Sequence, residues 1–438
     1  MTKKTKILAL DGGTHGFTWL FCLREIEADN PGFLYETDVF TGSSFGGFCS
    51  LYLARHMGGL KRGDSALSII EGCIAFMKQL LNFNPDQAAF GRLLGGVESM
   101  YSHDRMQAVL TDPAHLGDAR LGDMHRRVII TTSGTSNPSW SPKIYDSDDE
   151  ADKKVPAFEI GLASAALPVM LPLRNGLTNG SLGGSNSSMH GLTRVVGGDS
   201  KISMNDVALL SLGGDPGTST LVNNRTPWEG GDAVPPPLSL GSILTPKPED
   251  AEAFALLQQK VQDLWQLLDQ SVTKQHSDPE YARKRIGVPL HAPAQVPAPT
   301  THGSTSWGWR HWLLYQSSPL FFYAAIVNNQ ALDIAEQTHL LLGERTVRIA
   351  PMALLSSGQI LFMTFLSAPP ANQAIVGIAE LTAELWADPE TNQKFEFKPS
   401  VQQAEAFIDR FWMPDRRVAR TAPKARRSGW RRGRPVRV

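Results

Sequence analysis

A serine flanked by glycines offers the most direct chemistry in this sequence. Ser44 is the central residue of Gly-Ser-Ser-Phe-Gly at positions 42–46, and Gly47 follows the pattern. Such a serine can attack an acyl carbonyl when it lies on a sharp turn between a strand and a helix. The helix N-terminus then directs N–H groups and positive dipole toward the reacting oxygen. The pattern predicts Ser44 as a nucleophile, with Gly42 and Gly46 allowing the tight turn.

A second glycine-rich turn, Asp-Gly-Gly-Thr-His-Gly, occupies positions 11–16 and follows a short apolar run. As a dinucleotide-binding loop it is disfavoured, because Asp11 replaces the first glycine and its charge would oppose a pyrophosphate. As a phosphate loop of an actin-like kinase it is disfavoured too, because such loops precede a β-hairpin, whereas residues 17–27 have helical spacing. As an oxyanion hole it fits best. The N–H groups of Gly12, Gly13 and Thr14 would then face a negatively charged oxygen.

Short apolar runs alternate with helical patterns over residues 5–220, and these elements must position both turns. The pattern predicts strands at 7–10, 38–41, 127–132 and 209–212, with helices at 17–26 and 45–56 among others. Strands separated by helices favour a mostly parallel sheet covered by helices on both faces. The predicted fold class is therefore α/β, and both glycine turns follow strand ends.

Composition changes along the chain indicate four regions. Residues 5–220 form the predicted catalytic core, and 221–305 are a Pro- and Gly-rich insertion with one helix at about 249–272. Residues 306–412 are mainly helical and complete the domain. Residues 413–438 form a basic tail that is predicted to be disordered and solvated.

Overall composition excludes several classes of protein. Apolar residues make up 42% of the 438-residue chain and the formal net charge is −1, so neither a disordered chain nor a nucleic-acid binder is indicated. The three cysteines have no zinc or disulfide spacing and are expected to be buried free thiols. No metal or other cofactor is expected. Without a signal-peptide core or a long apolar span, the expected location is cytoplasmic. The tail offers a peripheral contact with anionic lipid as an alternative to simple solvation.

Together these segments resemble the patatin-like phospholipase family. The resemblance is carried by the turn at 11–16, the pattern at 42–47, Ala163–Pro168, Ser211–Gly214 and Leu341–Arg345. It implies a three-layer fold and an acyl hydrolase that acts on phospholipid or another acyl-ester lipid. It also implies a Ser–Asp dyad, in which the aspartate lies in a short Asp-Gly motif after the 163–168 stretch.

The chain departs from the family at that aspartate. Asn179 stands in its place, in Thr178-Asn179-Gly180. A carboxylate can accept the serine proton, whereas a carboxamide can hold the hydroxyl but is barely basic near neutral pH. The glycine turn is also one residue shorter than in the family, with His15 in place of an arginine. His15 and Asp199 are alternative bases, although residues of these types in loops more often serve as turn or capping residues.

Four functions therefore compete. The first is a lipid acyl hydrolase that uses Ser44 with weakened activity. The second is a catalytically impaired relative that keeps the pocket and binds lipid or a protein partner. The third is an α/β-hydrolase with a Ser-Asp-His triad, disfavoured because Ser44 follows so few strands. The fourth is an actin-like kinase, disfavoured by the predicted helix after the first turn.

Overall fold

A computed structural model of the protein describes residues 4–13, 16–82, 98–135, 141–198, 202–214, 321–351, 369–389, 392 and 399–415. The predicted insertion at 221–305 and the tail from residue 416 onward lie outside these residues. The predicted division into four regions stays a prediction.

A seven-stranded sheet forms the centre of the molecule. Its strands are β1 (Thr5–Leu10), β2 (Val39–Ser43), β3 (Arg127–Gly134), β4 (Ser141–Asp146), β5 (Leu177–Thr178), β6 (Val207–Leu212) and β7 (Thr346–Ile349). Their order is β4-β3-β2-β1-β6-β7, and β5 pairs with β3. β1, β2, β3, β6 and β7 are parallel, whereas β4 and β5 run antiparallel to β3. The prediction of a mostly parallel sheet is confirmed.

Helices cover both faces of this sheet. They are α1 (Gly16–Asp29), α2 (Phe45–His56), α3 (Leu67–Leu80), α4 (Asp104–Leu110), α5 (Ala157–Ala165), α6 (Ser181–Gly184), α7 (Ser188–Gly197), α8 (Phe321–Leu342), α9 (Pro369–Ala387) and α10 (Val401–Phe407). Short 3₁₀ turns lie at Leu121–Asp123, Met204–Asp206 and Gly343–Arg345, and a π-helical turn at Ile408–Trp412 follows α10.

Side chains alternate between the two faces along each central strand. Leu8 and Leu10 of β1 belong to a large apolar cluster with α1, α2, α3, α5 and α9. Ile7 and Ala9 point the other way, into a smaller cluster that includes Leu192 of α7. Because both faces are buried, the strands are continuous apolar runs, as parallel sheets require.

Most predicted elements lie where the sequence indicates. The C-terminal region, however, contains a strand that the sequence does not predict. Strand β7 lies within 306–412, which the sequence predicts to be mainly helical, and β7 pairs with β6. A four-residue strand such as Thr346–Ile349 gives almost no periodic signal of its own.

The three cysteines are free thiols in the buried core. Among the described helices, none has the length and apolarity needed to cross a bilayer.

Candidate functional site

Parallel register brings the two glycine turns side by side. Leu10, the last residue of β1, pairs with Gly42 of β2 on one side and with Leu212 of β6 on the other. Both turns therefore leave the sheet at its carboxyl edge, where α/β folds most often bind ligands.

Ser44 lies in the turn between β2 and α2 with backbone φ 51° and ψ −118°. This conformation is favourable for glycine but costs a residue with a side chain about 1–3 kcal/mol. The neighbouring residues must be glycines, because there is no room for a Cβ at either position. A Cβ at Gly46 would overlap the carbonyl oxygen of Leu10, and one at Gly42 would overlap that of Gly46. The arrangement is the strand–turn–helix that the pattern at 42–46 predicts.

Asn179 contacts the Ser44 hydroxyl directly. Its side-chain Nδ2 lies 3.1 Å from Ser44 Oγ, and its Oδ1 accepts the backbone N–H of Ser181 at 2.8 Å. A backbone N–H can only donate, so Oδ1 must face Ser181 and the NH₂ group must face Ser44. Asn179 is 2% exposed. The structure thus brings the two predicted dyad positions together, with the amide donating to the serine oxygen.

The glycine turn at 11–13 lies close to the same residues. Gly12 donates its N–H to the carbonyl oxygen of Ser185 at 2.8 Å. A Cβ at Gly12 would overlap the hydroxyl of Ser181. Gly13 has φ 100° and open space where a Cβ would be. Gly12 N–H is thus already paired, whereas Gly13 N–H has no acceptor among the described residues. Thr14 and the alternative base His15 lie outside the described residues.

A buried ion pair between Arg348 and Asp11 anchors the first residue of the glycine turn at 11–13. Arg348 of β7 donates through Nη2 to Asp11 Oδ2 at 2.6 Å and through Nη1 to Ser211 Oγ at 2.9 Å. Burial raises the pKa of the Asp11 carboxyl, and the Arg348 guanidinium partly offsets that effect. Gly213 provides the space for this pair, because a Cβ at that position would overlap both charged groups. Sequence analysis missed Arg348, since it lies on the strand that was not predicted.

One histidine lies near the site without contacting the serine. Nδ1 of His190 on α7 is 3.0 Å from Thr131 Oγ1, and burial lowers the pKa of the imidazole. Among the residues that the structure describes, Ser44 Oγ has a hydrogen bond to Asn179 and none to a carboxylate or imidazole. The second alternative base, Asp199, is not among those residues.

The strain at Ser44 gives a direct test of this geometry. Replacing Ser44 by glycine should give a protein more stable than the Ser44→Ala variant by about 1–3 kcal/mol, because both variants lose the hydroxyl but only glycine tolerates the backbone angle. Urea denaturation of the two variants measures the difference. The same pair of substitutions at Ser43, which lies in regular β2, should show the opposite order. Equal stability of the two Ser44 variants would contradict a strained turn.

Comparisons with known proteins add little. No family model matches the chain, and no curated protein matches it either. One solved structure that is similar is VipD from Legionella pneumophila, with 11% sequence identity and a TM-score of 0.28 over 97% of this chain and 82% of that one. Likeness at this level carries no argument, so the family resemblance remains an expectation from the sequence.

Proposed function

We propose that this chain is a patatin-like lipid acyl hydrolase in which Ser44 is the nucleophile and Asn179 limits the rate. The proposal rests chiefly on one observation, the 3.1 Å contact between Asn179 Nδ2 and the hydroxyl of Ser44, a strained serine immediately before α2. A nucleophile held on such a turn beside a second polar residue is the arrangement that acyl transfer uses.

In the proposed reaction, Ser44 Oγ attacks the ester carbonyl carbon and forms a tetrahedral intermediate. Its oxyanion accepts hydrogen bonds from Gly13 N–H and from the first turn of α2. The serine proton goes to water, because Asn179 cannot accept it. The alcohol then leaves with a proton from water, and a second water hydrolyses the acyl-enzyme. Sites without a working base keep roughly 10³–10⁴-fold rate enhancement over water.

The proposed substrate is a phospholipid or another acyl-ester lipid, in a cytoplasmic setting and without a cofactor. This class follows from the resemblance in the glycine turns and the 163–168 stretch. A peripheral membrane contact through the basic tail is part of the proposal. Flotation of the full chain with anionic liposomes, with and without residues 416–438, tests the tail. Equal flotation of the two proteins would reject that contact.

The second candidate function is a catalytically impaired protein that binds lipid or a protein partner. It is favoured by the direction of the hydrogen bond, because Asn179 donates to the oxygen lone pair that would attack a carbonyl. In that case the Ser44 hydroxyl oxygen accepts a hydrogen bond from Asn179 and is not activated as a nucleophile.

Labelling with a fluorophosphonate separates the two functions. We expect slow labelling of the natural protein that disappears in Ser44→Ala, detected by mass spectrometry of the peptide that carries residue 44. Ser43→Ala is the matched control, because Ser43 precedes the nucleophile and its hydroxyl donates to Ser185 O instead. No labelling of the natural protein after long exposure would favour the impaired binding protein.

A further inference from the structure

We propose that Ser164 is the positioning residue that sets the geometry between Ser44 and residue 179. The proposal rests on the proposed function, since it concerns the same site. Ser164 lies in the last turn of α5, on neither glycine turn, and is fully buried. It has no role in the reaction described above.

The Ser164 hydroxyl joins the nucleophile turn to the sheet. Its oxygen accepts the backbone N–H of Ser44 at 2.8 Å, and its proton is donated to the carbonyl oxygen of Thr131 at 2.8 Å. Thr131 is the β3 residue that pairs with Ser43 of β2. The strained residue is thus held at its own nitrogen by a side chain fixed to the neighbouring strand. Because Ser44 N–H is used in this way, it is not an oxyanion donor.

The backbone around Ser164 holds the other half of the site. Its carbonyl oxygen accepts the N–H of Gly180 at 3.0 Å. Two residues later, the carbonyl oxygen of Ala166 accepts Asn179 N–H at 3.0 Å and Thr178 Oγ1 at 2.7 Å. Ser164 and Ala166 therefore hold both Ser44 and the segment 178–180, although Ser44 and Asn179 lie 135 positions apart in the chain.

Two glycines lie against the bonds that Ser164 makes. A Cβ at Gly47 would lie 3.1 Å from Ser164 Oγ, which is closer than an ordinary van der Waals contact. A Cβ at Gly180 would overlap the carbonyl oxygen of Thr131, the acceptor of the Ser164 hydroxyl. Gly47 therefore gives the Ser164 hydroxyl room beneath the turn, and Gly180 leaves room for its acceptor.

Removal of this hydroxyl would take away the partner of the half-buried Ser44 N–H and a donor from the buried Thr131 C=O. Buried backbone groups without partners are costly, so the turn should relax toward an unstrained conformation. Relaxation would move Ser44 Oγ away from residue 179. Ser164 acts through Ser44 and does not touch the substrate, so its loss should affect reactivity more than binding.

The test uses the full chain with Ser164→Ala, Ser164→Thr and Ser147→Ala, each in the natural and the Asn179→Asp background. Ser147→Ala is the matched control, because the Ser147 hydroxyl is also buried and accepts a backbone N–H, that of Val128 at the start of β3, at 2.9 Å. The first measurement is amide hydrogen exchange of Ser44, which does not need activity. The second is the rate of fluorophosphonate labelling.

Ser164→Ala should speed exchange of the Ser44 amide about tenfold and slow labelling at least about tenfold, the scale expected for one buried hydrogen bond. Ser164→Thr keeps the hydroxyl and should restore both. Ser147→Ala should change neither the Ser44 amide exchange nor the labelling rate, even where its melting temperature falls as far as that of Ser164→Ala. Equal exchange of the Ser44 amide in Ser164→Ala and Ser147→Ala would overturn the positioning role. Failure of Asn179→Asp to label would instead count against the proposed function, and hydrogen exchange would still decide the role of Ser164.

Discussion

Asn179→Asp should raise both fluorophosphonate labelling of Ser44 and hydrolysis of a soluble short-chain ester by about 10²–10⁴-fold, the usual value of general-base help. The structure supplies the reason. Oδ1 of residue 179 is already committed to the Ser181 N–H, so an aspartate would keep that bond. Its second oxygen would replace Nδ2 beside Ser44 Oγ and accept the proton that the amide cannot. One atom change reverses the direction of the hydrogen bond.

Asn186 provides a matched control for this substitution. It is also buried, its Oδ1 accepts a backbone N–H two residues later, and its Nδ2 donates to the carbonyl oxygen of Ala331. Asn186→Asp should therefore lose stability, because a carboxylate would face a carbonyl oxygen, and it should gain no labelling. The gain in Asn179→Asp must also vanish in the double variant with Ser44→Ala. A wild-type rate in Asn179→Asp would mean that Ser44 is not the nucleophile in this geometry.

Arg348→Met should destabilise the protein by about 3–5 kcal/mol, the cost of leaving one member of a buried ion pair alone. Asp11 would keep its buried position at the end of β1 without the guanidinium that now contacts it. The pKa of Asp11 is already raised by burial, and it should rise further in the variant. A carboxyl with a raised folded-state pKa binds its proton more tightly in the native state. The defect should therefore grow as the pH rises above the ordinary carboxyl range and shrink in acid.

Urea denaturation at neutral and acidic pH measures this effect. The double variant Asp11→Asn/Arg348→Met should recover part of the stability, because it removes the unpaired charge. Arg62→Met is the exposed control, since Arg62 pairs with Glu36 and Asp415 at the surface, and its loss should leave the melting temperature unchanged. A defect at Arg348 no larger than that at Arg62 would show that the pair contributes little to stability.

The parts of the site that the sequence predicts are local. The turn at Ser44 is recognisable because its glycines, strand and helix are adjacent in the chain. Its contact with residue 179 could be proposed only through a family resemblance, since nothing local joins positions so far apart. No pattern in the sequence predicts the hydrogen bond from Gly12 N–H to the carbonyl oxygen of Ser185. It depends on how α6 and α7 pack against the carboxyl edge of the sheet.

Strand β7 and Ser164 were missed for different reasons. Four residues of strand are too few to show a period, so Arg348 could not be placed beside Asp11. Ser164 lies in a helical run of small residues, where a serine is usually unremarkable. Its role arises only because the end of α5 meets β3 and the turn at Ser44 in one place. Tertiary contacts of this kind carry no pattern in the chain.

The hydrogen bond from Gly180 N–H to Ser164 O has a consequence for how the purified protein ages. Asn-Gly pairs deamidate when the glycine nitrogen attacks the asparagine side-chain carbon, expels ammonia and forms a ring that water opens to aspartate or isoaspartate. In the folded chain that nitrogen is held by Ser164, and Asn179 is buried. Conversion should therefore accompany unfolding and refolding more than storage. Any trace activity of a preparation is best compared with the deamidated fraction of the peptide that carries residue 179, because a small aspartate-bearing population would dominate the measured rate.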